Sequence, residues 1–479
     1  MFLGLDLGTS GLKALLSADA QRPLATTTVP LTAQRPHPGW SEQEPEAWWQ
    51  ATLAAIDQLH RSHPAELAAT TAIGLAGQMH GAVCLGADGQ PLRPAILWND
   101  TRAAAECAAL EAALPTLRQT AGNIAMPGFT APKLLWLRHH EPDIFRRTAT
   151  VLLPKAYLRD RLSGERIEDL SDASGTLWLN VAARAWSDAA LAATGLSRAH
   201  MPALAEGNAP AGQLRPDLAA RWGMTRPPLI AAGAGDNAAG AIGLSAIHPG
   251  DAFVSLGTSG VVFVTTDGFR PYPQSAVHAF CHALPNTWHQ MGVTLSAAAS
   301  LAWWSQITGQ PEAALLAELP EITAPSPTLF LPYLAGERTP HNDAALRGAF
   351  TGLSTGTARA DLTHAILDGV AFSLRDCLDA LAASGTRIES AGIIGGGARS
   401  PAWLRIIAAA LGIALNRLPD AEHGVALGAA RLARMAATGE PPATVCPPPA
   451  ILETILPDPA LAAAYAARLP AYRAAAGVI

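Results

Sequence analysis

The sequence predicts an α/β protein of two large, related lobes with a ligand cleft between them, and three observations carry that prediction. Leu5-Asp6-Leu7-Gly8-Thr9-Ser10-Gly11 returns past the middle of the chain as Val254-Ser255-Leu256-Gly257-Thr258-Ser259-Gly260, identical at five of seven positions. Apolar runs flank both copies, the pattern of strand, tight Gly turn, strand. At 479 residues the chain is too long for one compact core. Length alone permits about three domains of ~150 residues, but the repeat argues for two lobes, 1–244 and 245–479.

The repeated turns suit phosphate. Glycine lets a ligand approach the backbone, and free amides with Thr and Ser hydroxyls offer donors. Asp6 in the first copy is Ser255 in the second. One acid between two phosphate cradles suggests one polyphosphate held from both sides, with a metal on the first side only. Two unrelated Gly-rich hairpins are the plainer reading, which the matching positions in the two halves make the weaker one.

With 49% hydrophobic and 15% charged residues, the composition is that of a globular enzyme, and the net charge of -6 argues against a nucleic-acid partner. Lysine occurs only as Lys13, Lys133 and Lys155. The five cysteines, Cys84, Cys107, Cys281, Cys377 and Cys446, have neither disulfide-framework nor zinc spacing. No signal-peptide pattern precedes Asp6, and no apolar run reaches the ~18 residues of a membrane span, so the expected home is the cytoplasm.

In chain order, strands are expected at 2–7, 12–17 and 23–32, and a helix from Pro45 to Leu59. A buried strand at 71–77 should end in Gln78-Met79-His80-Gly81, where Gly-bounded polar groups suit ligand contact as well as they suit core filling. Asp100 reads as an N-cap for the Ala-rich helix after it. Helices at 130–140 and 154–163 carry Lys133 and Lys155 just after prolines, with no role assigned. A strand at 228–232 leads through the turn Gly233-Ala234-Gly235-Asp236-Asn237 into a helix of small residues, 238–244. The similar stretch 424–430 is expected to cross it closely at a hinge between the lobes. A strand at 329–333, a helix from Asp361, and a strand from Ala391 into Gly395-Gly396-Gly397 complete the second half. That triple glycine is best explained by a flat or charged group lying against the backbone. The tail after about 440 is Pro-rich, then Ala-rich and helical.

These residues point to phosphoryl transfer, which needs positioning and charge neutralisation. Asp6 would hold Mg²⁺, mostly through water. Thr9, Ser10, Gly257, Thr258 and Ser259 would hold phosphates, with Lys13 in reach. Gly395, Gly396 and Gly397 would pass under a nucleotide base and ribose. Asp236, at the mouth of a helix, would take a proton from an acceptor hydroxyl, with Asn237 beside it for a sugar hydroxyl; helix capping is the competing role. A dinucleotide-binding dehydrogenase is the rival reading of Gly233-x-Gly235, but Asp236 would repel a pyrophosphate there. A non-enzymatic sugar sensor would need neither both turns nor Asp6. A Walker-type kinase is excluded because no Lys follows a Gly in G-K-[ST].

Two further blocks, Gly128-Phe-Thr-Ala-Pro-Lys133-Leu-Leu-Trp136-Leu and Gly348-Ala-Phe-Thr-Gly352-Leu with Asp361-Leu362 and Ala365-Ile-Leu-Asp368, resemble those of the FGGY carbohydrate kinases. The runs Arg35–Gln43, Gly77–Gly81, Arg93–Asp100, Gly235–Gly240 and Gly336–Asn342 resemble the branch acting on D-xylulose. The likeness covers residues 1 to about 435. It implies two actin-like (ribonuclease-H-like) lobes, a sugar-binding N-terminal and a nucleotide-binding C-terminal one, that close over the substrate. It also implies ATP and Mg²⁺, transfer of the γ-phosphate to the C5 hydroxyl of D-xylulose, and a homodimer. Asp236 carries over as proton acceptor, and Met79, His80, Asp236 and Asn237 as sugar contacts.

Overall fold

The computed structural model describes residues 1–419 and 423–477. Two seven-stranded sheets organise the chain, one in each half. In the first, β1 (Phe2–Leu7), β2 (Gly11–Ser17) and β3 (Ala25–Pro30) form an antiparallel meander. On the other side of β1, β4 (Ala72–Gly77) runs parallel to it. The sheet is completed by β5 (Pro210–Gln213), β6 (Leu229–Ala231) and the two-residue β7 (Ala234–Gly235), the last two parallel to β4. The second sheet repeats this plan. β8 (Ala252–Leu256) pairs antiparallel with β9 (Gly260–Thr266), and β10 (His278–Cys281) and β11 (Trp288–Thr294) continue the meander. β12 (Ser390–Ile394) is parallel to β8, β13 (Ala414–Arg417) is parallel to β12, and β14 (Glu453–Ile455) closes the edge.

The duplicated hairpins therefore occupy equivalent central places, each with an antiparallel neighbour on one side and a parallel crossover strand on the other. Their turns differ. The last pair of the first hairpin is Leu7 with Leu12, leaving 8–11 to turn; in the second it is Leu256 with Gly260, leaving 257–259.

The helices that position the site are α1 (Pro45–Ser62), α2 (Thr130–His140), α3 (Pro154–Ser163), α4 (Leu170–Ser174), α5 (Asp236–Gly243), α6 (Ala298–Thr308), α7 (Arg359–Ala383), α8 (Gly424–Thr438) and α9 (Pro459–Ala476). The first-lobe core packs α1 and α3 on the sheet through Trp48, Ile56 and Tyr157; the second-lobe core packs α7 through Val370, Phe372 and Leu374. A third apolar cluster joins Leu134 and Trp178 of the first half to Phe263, Phe280 and Met291 of the second.

The expected close crossing of small-residue helices is present between α5 and α8. A Cβ at Gly428 would lie 1.8 Å from the Ala239 carbonyl oxygen, and one at Gly243 1.9 Å from that of Gly424. Helix α8 also lies on β1 and β4: a Cβ at Gly4 would meet Ala426 O at 2.0 Å, and one at Gly74 would meet Ala429 O at 1.8 Å. Glycine is required here by backbone touching backbone. Arg431 of α8 locks the crossing by donating to the carbonyls of Ile242 (2.8 Å) and Gly243 (3.0 Å) at the end of α5.

The helices expected at 130–140 and 154–163 match α2 and α3, while the strand expected at 23–32 shortens to β3. Two local expectations change. Asp100 is not an N-cap, since the following helix starts at Ala104 with Ala103 at the cap. Its buried carboxylate instead accepts from Ser41 N (2.6 Å) and the Arg102 guanidinium, pinning two loops together. Asp236 and Asn237 are not turn residues but the first two of α5, with Gly235 at the cap.

Candidate functional site

Strand β4 ends at Gly77 and the chain bends sharply at His80, which sits in the left-handed region with φ +70°. A non-glycine residue there stores on the order of 1 kcal/mol or more, and needs surroundings that hold it. Lys133 Nζ (2.8 Å) and Thr130 Oγ1 (3.1 Å), from the first turn of α2, both donate to the His80 carbonyl. The ring Nδ1 lies 2.7 Å from Gly175 O. A carbonyl can only accept, so Nδ1 carries the hydrogen and Nε2 presents a lone pair. Burial above all, with the Lys133 and Arg338 charges, pushes the ring's pKa down to about 3. His80 is thus a neutral imidazole with one acceptor nitrogen, flanked edge-on by Phe129 at 4.5 Å. Met79 is buried, and a Cβ at Gly235 would meet its Cγ at 2.8 Å, so the His80 bend rests directly on the turn before Asp236.

At that turn Asp236 opens α5. Its Oδ1 accepts from the backbone N (2.7 Å) and Nδ2 (2.9 Å) of Asn237. No bond to Oδ2 is made among the described residues, which leaves that oxygen as an acceptor. Burial raises the carboxyl's pKa to about 6 against the opposing effect of the Asn237 bonds. Asp6 stands at the end of β1, directly across the ladder from Lys13. Burial first, then the charge on Asp236, lift its pKa to about 7, and Lys13 opposes the rise. Two buried carboxylates, one of which raises the pKa of the other, make a site receptive to a cation. Their oxygen-only donor set fits Mg²⁺, which takes one or two carboxylates and keeps its waters.

The two turns present different surfaces. Thr9 Oγ1 donates to Gln78 Oε1 and accepts from Trp98 Nε1, both at 2.9 Å, so its hydroxyl is engaged within the protein and its amide is what remains for a ligand. Ser10, Thr258 and Ser259 are exposed. The carbonyls of Gly257 and Thr258 accept from Ala298 N (2.8 Å) and Ala297 N (2.9 Å), tying the second turn to the start of α6. There a cavity of about 330 Å³ opens between Thr258, Ala299, Trp303 and Gln306. The triple glycine has a partly different cause from the one expected. Gly395, at φ +99°, and Gly397 both press on Leu256: their Cβ atoms would lie 2.6 Å from its carbonyl oxygen and 2.4 Å from its Cδ2. Only Gly396 faces open space.

Sequence reasoning left Lys133 and Lys155 without a role. Both are fully buried against the site, the first on the His80 carbonyl and the second in a carboxylate group with Glu168 and Asp169. Their rarity was the available signal. Arg338, whose Nη1 lies 3.4 Å from His278 Nε2, also went unassigned. Among the described residues the one tight trio of acidic side chains, Glu168, Asp169 and Asp172, already contains the Lys155 ammonium.

Residues 1–243 match the N-terminal domain of the FGGY family of carbohydrate kinases, and residues 252–437 match its C-terminal domain. The chain is 49% identical to a xylulose kinase of Escherichia coli (strain K12), over 99% of this chain and 98% of the relative. A solved structure of a xyloylose kinase from Brucella ovis superposes with a TM-score of 0.97 at 53% identity, covering 99% of this chain and 98% of that one. The xylulose kinase of Rhodospirillum rubrum follows the same path, with a TM-score of 0.91 at 27% identity over 100% of this chain and 98% of its own.

Proposed function

Because the chain belongs to the FGGY family of carbohydrate kinases, we propose that it phosphorylates D-xylulose at the C5 hydroxyl with ATP, releasing D-xylulose 5-phosphate and ADP. The observation that carries the reading is Asp236 Oδ2, unclaimed among the described residues at the mouth of α5, just past the Gly235 turn that packs on Met79 and near enough to Asp6 to raise its pKa. In this reading Met79, His80 and Asn237 orient the sugar. Met79 contributes its backbone, since its side chain is buried; His80 Nε2 accepts from a hydroxyl; Asn237 offers an amide already fixed by Asp236. The C5 hydroxyl gives its proton to Asp236 Oδ2 as its oxygen bonds to the γ-phosphorus and the bond to the β-phosphate oxygen breaks. The amides of the Thr9-Ser10 and Gly257-Thr258-Ser259 turns, with Lys13, hold the phosphates. Mg²⁺, held by Asp6 mainly through water, supplies neutralisation of phosphate charge when bound.

Residues 1–244 are proposed as the sugar-binding lobe and 245–479 as the nucleotide-binding lobe. The cavity beside Thr258 and the open backbone at Gly396 support placing base and ribose on the second lobe. An ATP-dependent step fits a cytoplasmic enzyme working on a small sugar, and no helix among the described residues is long and apolar enough to cross a membrane. A coupled assay of ADP release over pentuloses, polyols and aldonates, with and without Mg²⁺, tests the reading. D-xylulose should give the highest kcat/KM. ADP release on ribulose, gluconate or glycerol but not on D-xylulose would reassign the sugar within the family.

A further inference from the structure

Helix α4 is short and buried throughout, with Ser171, Asp172 and Ser174 as its polar residues. Burying polar groups costs free energy unless each finds a partner; Ser171, Ser174 and the Gly175 carbonyl find theirs on the site elements and β10, while Asp172 has the Lys155 ammonium 3.7 Å away. Ser171 Oγ accepts from Gly235 N at 3.0 Å, the amide just before Asp236. The Gly175 carbonyl at the other end of α4 accepts from His80 Nδ1 at 2.7 Å. Between them Ser174 Oγ accepts from Cys281 N of β10 at 3.0 Å, linking the helix to the second sheet.

The helix has its own anchor. Asp169 Oδ1 caps it, accepting from Ser171 N at 2.8 Å and from the Ser171 hydroxyl. Its Oδ2 lies 2.8 Å from Lys155 Nζ, which also donates to Glu168 Oε1 at 2.6 Å. Lys155 itself packs under the end of β4: a Cβ at Gly77 would touch the Lys155 Cβ at 3.3 Å. A buried charge cluster of this kind is a poor stabiliser, since well-packed apolar replacements are often neutral or better. Its geometry has a different use, as it fixes the direction of one hydroxyl.

We propose that α4 acts as a spacer setting the separation between His80 and Asp236, and that Ser171 and Asp169, anchored on Lys155, are positioning residues for phosphoryl transfer. Ser171 is the critical joint. Its hydroxyl hydrogen is committed to Asp169, so its lone pair is aimed at Gly235 N and cannot rotate away. A misplacement near 1 Å at the reacting centre costs about 100-fold in rate, so a loosened Gly235 amide should act on turnover before it acts on nucleotide binding.

This inference rests on the proposed reading of Asp236 as the base, and its test has a readout that does not depend on that reading. Ser171→Ala removes the joint with little change in volume. Hydrogen exchange of the peptide spanning Gly235 should speed up at least tenfold. The kcat for D-xylulose should fall about tenfold or more, with KM for ATP within twofold of the parent. Asp169→Asn keeps the acceptor toward Ser171 but weakens the Lys155 anchor, and should shift the same quantities in the same direction if Ser171→Ala does not fold. A folded variant with unchanged exchange at Gly235 and unchanged kcat would overturn the proposal. Faster exchange at Gly235 with kcat intact would also overturn it, by making α4 a purely structural support. If the parent itself releases no ADP on D-xylulose, the functional reading fails while the exchange result still decides whether Ser171 holds the turn.

Discussion

Asp6 and Asp236, 230 positions apart in sequence, stand near enough that the charge on Asp236 raises the pKa of Asp6. The first belongs to a β-hairpin and the second to the first turn of a helix; the parallel pairing of β1 with β4, and of β4 with β7, brings them to the same end of one sheet.

Asp236→Asn should lower kcat by about 10²- to 10⁴-fold, the usual reach of a positioned base. Asparagine keeps an oxygen for the Asn237 bonds, so calorimetric affinity for D-xylulose should stay within about tenfold. Retained turnover would remove Asp236 from the chemistry.

The burial of the two acids, with the added effect of Asp236 on Asp6, has a pH signature. In the ligand-free, magnesium-free protein both carboxyls hold protons more tightly folded than unfolded. Their contribution to stability is therefore fully present below the unfolded value near 4 and is lost as pH rises through about 6 and 7. Asp6→Asn should raise the melting temperature relative to the parent at pH 8 and change it little at pH 4, while abolishing the stabilisation conferred by Mg-ATP. Equal melting shifts at both pH values would contradict the assignment.

The glycines of 395–397 should separate by cause. Gly395→Ala strains a left-handed backbone against the Leu256 carbonyl and should cost roughly 1–3 kcal/mol of stability by denaturant unfolding. Gly396→Ala, with open space around it, should leave stability within about 0.5 kcal/mol and raise KM for ATP if a nucleotide passes there.

Gly175→Ala would put a methyl group 2.5 Å from the His80 ring. The expected result is a rise in KM for the sugar with KM for ATP unchanged. Equal effects on both substrates would show that His80 does not act on the sugar side alone.

The sequence made the duplicated hairpins, most helix limits and the Gly235-Asp236-Asn237 corner legible because each rests on local pattern: Gly turns, helical periodicity, proline at helix starts. What escaped it is non-local. Nothing near Lys155 announces that its ammonium fills a carboxylate group more than ten residues away, and nothing near Asp100 says that its carboxylate reaches back to Ser41 rather than capping a helix end. The triple glycine shows the same limit. Composition identified an unusual backbone, but only three-dimensional packing separates the two glycines that yield to Leu256 from the one left open.

The seating of α8 bears on how the protein can be dissected. Although residues 424–438 come late in the chain, they roof the first sheet, backbone against backbone at Gly4 and Gly74 and through Phe2, Leu15 and Ala72 beside them. A fragment ending near residue 244 would expose the outer faces of Gly4 and Gly74 to water, and the complementary piece would carry an orphaned helix. Neither half is expected to survive expression alone, whereas co-expressing the two fragments should restore a joined, active particle.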